Sequence, residues 1–164
     1  MLNARLKSNP TDVATRSALA LFYLEQRKYD DAIVEYTRVL AERPVDATAL
    51  NNLAWLYQQK GDLAKARAFA EQAAAAVPGA AETEDTLGWI LLAQGEAGKA
   101  LTYLSAASVT APKNPDIQYH LAVALHRLGR TADAQATLET LLRPGVAFSD
   151  KAEAEKLLQQ LKRG

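Results

Sequence analysis

The chain has 164 residues, with 19 Lys plus Arg against 19 Asp plus Glu, and it contains 33 Ala and 24 Leu. Strong helix formers with only 8 Gly and 6 Pro point to an all-α protein long enough to bury a real core. The absence of Cys excludes a disulfide framework and a Cys-based zinc site, zero net charge argues against a nucleic-acid partner, and no apolar run reaches the roughly 18 residues of a membrane span.

Residues 1–12 read as the tail of a helix followed by a linker, with no apolar stretch of signal-peptide length. Four units of equal length follow, over 13–46, 47–80, 81–114 and 115–148. Pro10, Pro44, Pro78 and Pro112 keep a step of 34 residues, as do Leu19, Leu53, Leu87 and Leu121, and Ala32, Ala66, Ala100 and Ala134. Gly61, Gly95 and Gly129 form a further column, with Arg27 at the matching place in the first unit. A period of this size marks a stack of supersecondary units.

Each unit predicts a helical hairpin. Its first helix carries an inward stripe of Leu, a small residue and Tyr or Leu, as in Leu53, Ala54 and Tyr57. The second helix carries Ala and two further apolar positions, as in Ala100, Leu104 and Ala107. The small residues permit close helix approach, and the turn Gly suits the left-handed residue that ends a helix. One hairpin cannot bury both of its faces, so the hairpins are expected to stack into a right-handed α-solenoid. In the fourth unit Arg143-Pro144-Gly145 arrives early and should end the second helix about two residues sooner. Residues 149–164 predict a capping helix with Ser149 as N-cap and an apolar edge of Leu157, Leu158 and Leu161.

These columns resemble the tetratricopeptide repeat (TPR): Leu19-Ala20, Tyr23, Ala32, Tyr36 and Pro44 in the first unit, and Leu50, Leu53-Ala54, Tyr57, Ala66 and Pro78 in the second. The resemblance implies a non-enzymatic protein-interaction scaffold. A half-repeat at the start further suggests the C-terminal part of a longer array. More narrowly, Ala49 to Asp62, Asp85 to Leu101 and Asn114 to Ala134 are similar to the C-terminal repeats of bacterial TPR lipoproteins that accompany exosortase (PEP-CTERM) sorting and exopolysaccharide clusters. That likeness implies a periplasmic, envelope-attached protein; without it a cytoplasmic one is expected.

In TPR arrays the first helices line a concave groove. Carried over, the groove positions include Asn51, Asn52, Trp55 and Gln59 in the second unit and Glu82, Asp85 and Trp89 in the third. The fourth contributes Tyr119, His120 and His126. Trp55 and Trp89 share one column, and two readings of them stay open: gripping apolar side chains of an extended peptide, or packing as spacers between adjacent first helices. The carboxylate clamp of chaperone-binding TPRs is not expected, because only Asn52 fits it, while Ser17, Glu82 and Thr86 stand where it would need Lys or Arg.

No catalytic group, metal or cofactor is expected. His120 and His126 lie six apart on one helix, a spacing that does not converge two ligands, and the Asp116–His120 spacing of four suggests a polar pair lining the groove. Gly95-Glu96-Ala97-Gly98 is a turn between helices rather than a phosphate loop. The expected partner is a protein or peptide. The alternative is a structural spacer or a self-association module acting through exposed repeat ends, with the partner sites in upstream repeats.

Overall fold

Residues 2–143 and 145–163 are described by a computed structural model, which contains ten helices and, among those residues, no strand. They form two compact units, the first ending at Pro78 and the second beginning at Gly79.

The first unit holds α1 (Leu2–Ser8), α2 (Val13–Glu25), α3 (Tyr29–Glu42), α4 (Ala47–Gln59) and α5 (Leu63–Ala76). Helices α2 and α3 pair as one antiparallel hairpin and α4 and α5 as another, while α3 lies against α4. Asp12 starts α2, its Oδ1 accepting from the Thr15 amide at 3.1 Å and its Oδ2 from the Thr15 hydroxyl at 2.7 Å. These two bonds, with the Arg5 guanidinium beyond them, hold the Asp12 carboxyl below its usual value. The charged cap is therefore in place at neutral pH and is lost as pH falls through that lowered value. Asp46 repeats the arrangement 34 residues later, accepting from the Ala49 amide at 3.0 Å. Within the first hairpin, buried Glu35 holds Arg16 at 2.7 Å and Arg38 at 2.6 Å, so its charge is paired on both oxygens.

The second unit holds α6 (Ala81–Ala93), α7 (Ala97–Thr110), α8 (Pro115–Arg127), α9 (Thr131–Leu141) and α10 (Lys151–Leu161). The hairpins are α6 with α7 and α8 with α9; α7 packs on α8, and α10 closes on α9. Helix α9 has 11 residues where α3, α5 and α7 have 14, so it ends three residues early rather than the expected two. Pro144 lies outside the described residues. Helix α10 starts after Asp150 and not after Ser149, and Asp150 makes no side-chain cap bond. The helix is held instead by Ala154 and Leu161, which are buried, and by Lys162 at 2.9 Å from Glu139, whose carboxyl is lowered by that lysine.

Of the 24 inward positions of the stripes, 21 are buried and three, Tyr23, Tyr57 and Leu121, are partly so. The tightest is Gly88. A Cβ built on it would stand 2.6 Å from Cγ of Leu104 and 3.3 Å from the carbonyl oxygen of Ala100, so α6 and α7 touch with no room for a methyl group.

The turn inside each hairpin repeats one hydrogen-bond pattern. In the second, the Gly61 N–H donates to Gln58 O at 2.9 Å and the Asp62 N–H to Tyr57 O at 3.0 Å, around a Gly at φ 77. The first hairpin makes the same bonds, Arg27 N–H to Leu24 O and Lys28 N–H to Tyr23 O, both at 2.9 Å. There the left-handed position is Arg27, at φ 56, the one non-Gly residue with positive φ among the described residues. A Cβ in this conformation costs on the order of 1 kcal/mol. Arg27→Gly is expected to raise stability by about 1 kcal/mol. Urea unfolding checks this, and an unchanged or lower midpoint would contradict it.

Candidate partner-binding face

All of the candidate residues lie on the first helices of hairpins, α4, α6 and α8, and among them Tyr119 and His120 are buried. In the first unit they are on α4. Trp55 is partly buried, its indole edge-on to Tyr29 with centroids 5.7 Å apart and planes at 89°. Asn52 turns its Nδ2 back to Thr48 O at 2.9 Å, while Oδ1 of Asn51 is buried without a hydrogen-bond partner. Gln59 is exposed at the end of the helix.

In the second unit α6 and α8 lie side by side and bring four of the predicted residues together. His120 Nδ1 lies 2.8 Å from Asp85 Oδ1, so the imidazole N–H donates to the carboxylate. The same ring stacks on Trp89, with centroids 4.0 Å apart and planes 19° from parallel. Tyr119 stands 6.1 Å from the indole and 6.3 Å from Phe148. Burial, reinforced by the Asp150 and Glu153 carboxylates, pushes the Tyr119 hydroxyl pKa up, so it stays a neutral donor. Trp89 is partly exposed over this base, which holds its ring in one orientation. Both indoles thus make ring contacts yet keep some surface free.

Glu82 is exposed in the first turn of α6. His126 is also exposed, beside a depression of about 230 Å³ lined by Tyr119, Val123, Arg127, Glu153, Lys156 and Leu157. It lines this depression together with Tyr119, which stands on its other side beside Trp89.

The Asp116–His120 pair expected from the helical spacing does not form. Facing α6, the imidazole reaches Asp85 and Trp89 at once, and Oδ1 of Asp116 is left buried without a partner. A second bond between the same helices, also not contained in the spacing along one helix, runs from Arg127 Nη1 to the carbonyl of Leu92 near the end of α6. Asp85–His120 and Leu92–Arg127 are both 35 residues apart, one repeat plus one position. That offset is the signal by which either could have been found. No group of three or more His, Asp or Glu converges on a metal position among the described residues.

The tetratricopeptide repeat family model matches residues 17–81, and a second model of the same family matches 91–161. The chain belongs to the tetratricopeptide repeat family. No curated protein matches it. Among solved structures, the TPR chain is similar to PilF of Pseudomonas aeruginosa, at TM-score 0.83 and 20% identity, over 99% of this chain and 72% of that one. It is similar to PilW, described as a widely conserved type IV pilus biogenesis factor, at TM-score 0.79 and 22% identity, over 99% and 80%. It is also similar to YrrB, described as a TPR protein with an unusual peptide-binding site, at TM-score 0.78 and 17% identity, over 99% and 82%. At these identities the likeness establishes the shared fold, an all-α TPR solenoid.

Within the third and fourth TPR hairpins, the stack makes Asp85 the anchor of His120 and, through it, of Trp89. In a Trp55→Phe background, Asp85→Ala is expected to shift the emission of Trp89 to longer wavelength and lower stability by about 1–3 kcal/mol. Emission and melting unchanged from the parent would show that the carboxylate does not hold the ring.

Proposed function

We propose that this TPR chain is a scaffold whose first helices hold extended peptide, in the first unit through Asn51, Asn52, Trp55 and Gln59 on α4 and in the second through Glu82, Asp85, Trp89, Tyr119, His120 and His126 on α6 and α8. The observation that carries the reading is the Trp89–His120–Asp85 stack. A large apolar ring is kept partly open to solvent and is fixed from behind by an imidazole that is itself fixed by a carboxylate. Such a preorganised aromatic anchor gives contact area at little loss of conformational entropy on binding. The indole takes an apolar side chain, and exposed Glu82 suits a neighbouring basic or amide-bearing one. Asn52 keeps its carbonyl oxygen to accept from a peptide N–H, since only its amide nitrogen is spent on Thr48. The description of YrrB as a peptide-binding TPR protein supports this class of ligand.

The resemblance of Ala49 to Asp62, Asp85 to Leu101 and Asn114 to Ala134 to repeats of PEP-CTERM-associated lipoproteins supports a further placement: the scaffold works at the bacterial envelope, in exopolysaccharide export or protein sorting, as part of a longer protein. A spacer role has its own support in Trp55, which is packed edge-on against Tyr29 as a structural ring would be.

Panning a displayed peptide library on the whole chain supplies the ligand for the test. Trp89→Ala combined with Asn52→Ala is expected to weaken the selected peptide by at least about tenfold with the chain still folded by circular dichroism. Failure to select any peptide, or undiminished binding to the folded double variant, would reject the groove reading in favour of the spacer.

A further inference from the structure

In the second unit, the first turn of α8 and the C-terminal half of α9 frame an open cleft of about 560 Å³. Pro112, Pro115, Leu141 and Val146 give it apolar walls, and Gln118, Thr137 and Thr140 stand among them. Three repeats earlier, the columns of those polar residues hold Arg16, Glu35 and Arg38, whose charges are spent on one another in ion pairs of 2.7 and 2.6 Å. In the second hairpin the first two columns hold Leu50, which is buried, and Phe69, which stacks on Tyr57 at 5.5 Å. Thr137 is the smallest side chain of its column, which also holds Tyr103. The fourth hairpin thus lacks both the ion pairs and the ring, and the space stays open.

The groups left on the walls define a ligand. Lys113 is the one charged residue of the lining, is exposed, and makes no ion pair among the described residues. A cation beside an apolar surface suits a carboxylate. Gln118 spends its amide nitrogen on Ser108 Oγ at 2.8 Å and on the Pro112 carbonyl at 3.3 Å, and the Thr137 hydroxyl donates to Asp133 O at 2.8 Å. What these two side chains keep is acceptor capacity, which calls for an N–H on the ligand. The Thr140 hydroxyl, exposed and without a hydrogen bond among the described residues, remains as a side-chain donor for one carbonyl.

We propose that this cleft binds a small N-acyl amino acid. Its carboxylate pairs with Lys113, its amide N–H donates to Oε1 of Gln118, and its aliphatic chain lies along Pro115, Leu141 and Val146. An extended peptide fits less well, because each further residue brings a carbonyl for which the lining side chains hold no donor. None of the cleft's residues belongs to the candidate peptide face, so the site is independent of the peptide reading.

The probe is N-octanoylglycine, titrated calorimetrically into the whole chain. Saturable one-to-one binding is expected, at least about tenfold weaker for the uncharged methyl ester. Thr137→Tyr, which restores the ring that Tyr103 gives the same column, is expected to weaken binding by about tenfold or more. Lys113→Glu, at an exposed position, is the second variant should Thr137→Tyr fail to fold, and it is expected to weaken binding likewise. Val109→Ser, on an exposed residue of α7 outside the cleft, should bind as the parent does. The proposal is overturned by no saturation up to about 1 mM probe, by equal binding of acid and ester, or by undiminished binding to the folded Thr137→Tyr and Lys113→Glu chains. It is also overturned if Val109→Ser abolishes binding, or if the free-acid tripeptide Gly-Val-Leu binds more tightly than the probe, because the cleft would then take a peptide end.

Discussion

The close approach of the two helices within each hairpin is the contact on which the other features of this chain depend. Ala20, Ala54, Gly88 and Ala122 on the first helices, and Ala32, Ala66, Ala100 and Ala134 on the second, are buried without exception. Side chains this small bring two backbones together and leave Leu and Tyr of the same stripes to fill the space around them. In the third hairpin the approach is close enough to require Gly, because Leu104 occupies the space that a Cβ would need. The abundance of alanine is thus a packing requirement as much as a helix propensity.

Once hairpins are fixed to that spacing, side chains meet across them at a constant offset. Asp85 and His120, and Leu92 and Arg127, are joined at the same separation along the chain. One pair orients the ring beneath Trp89, and the other ties Arg127 to a carbonyl near the C-terminal end of α6. The candidate face therefore gains its rigidity from helix-to-helix polar contacts, while the hydrophobic columns behind it set the distance at which those contacts form.

The fold was largely legible in the sequence because every hairpin repeats the same steric demands, and small residues at fixed positions leave little freedom. Even the exception at Arg27 kept the register, and it takes the left-handed conformation that Gly takes in the other hairpins. Details set by a single residue were less legible. Asp150 rather than Ser149 precedes α10, where burial of Ala154 and Leu161 decides the position of the helix more than its cap does. The candidate site was legible as a set of positions but not as a set of bonds. Helical spacing joined His120 to Asp116, four residues away, whereas the observed partner depends on how α6 and α8 lie together, which the periodicity of one helix does not contain.

The measurement that bears most directly on the hairpin contact is the unfolding midpoint of Gly88→Ala beside that of Gly98→Ala. The first methyl would meet Leu104 and the Ala100 carbonyl, and the second, on α7, would meet nothing within 4 Å. Close hairpin packing predicts that Gly88→Ala loses about 1–3 kcal/mol, while Gly98→Ala is neutral or gains up to about 1 kcal/mol. A Gly88→Ala chain that unfolds at the midpoint of the parent would contradict the account.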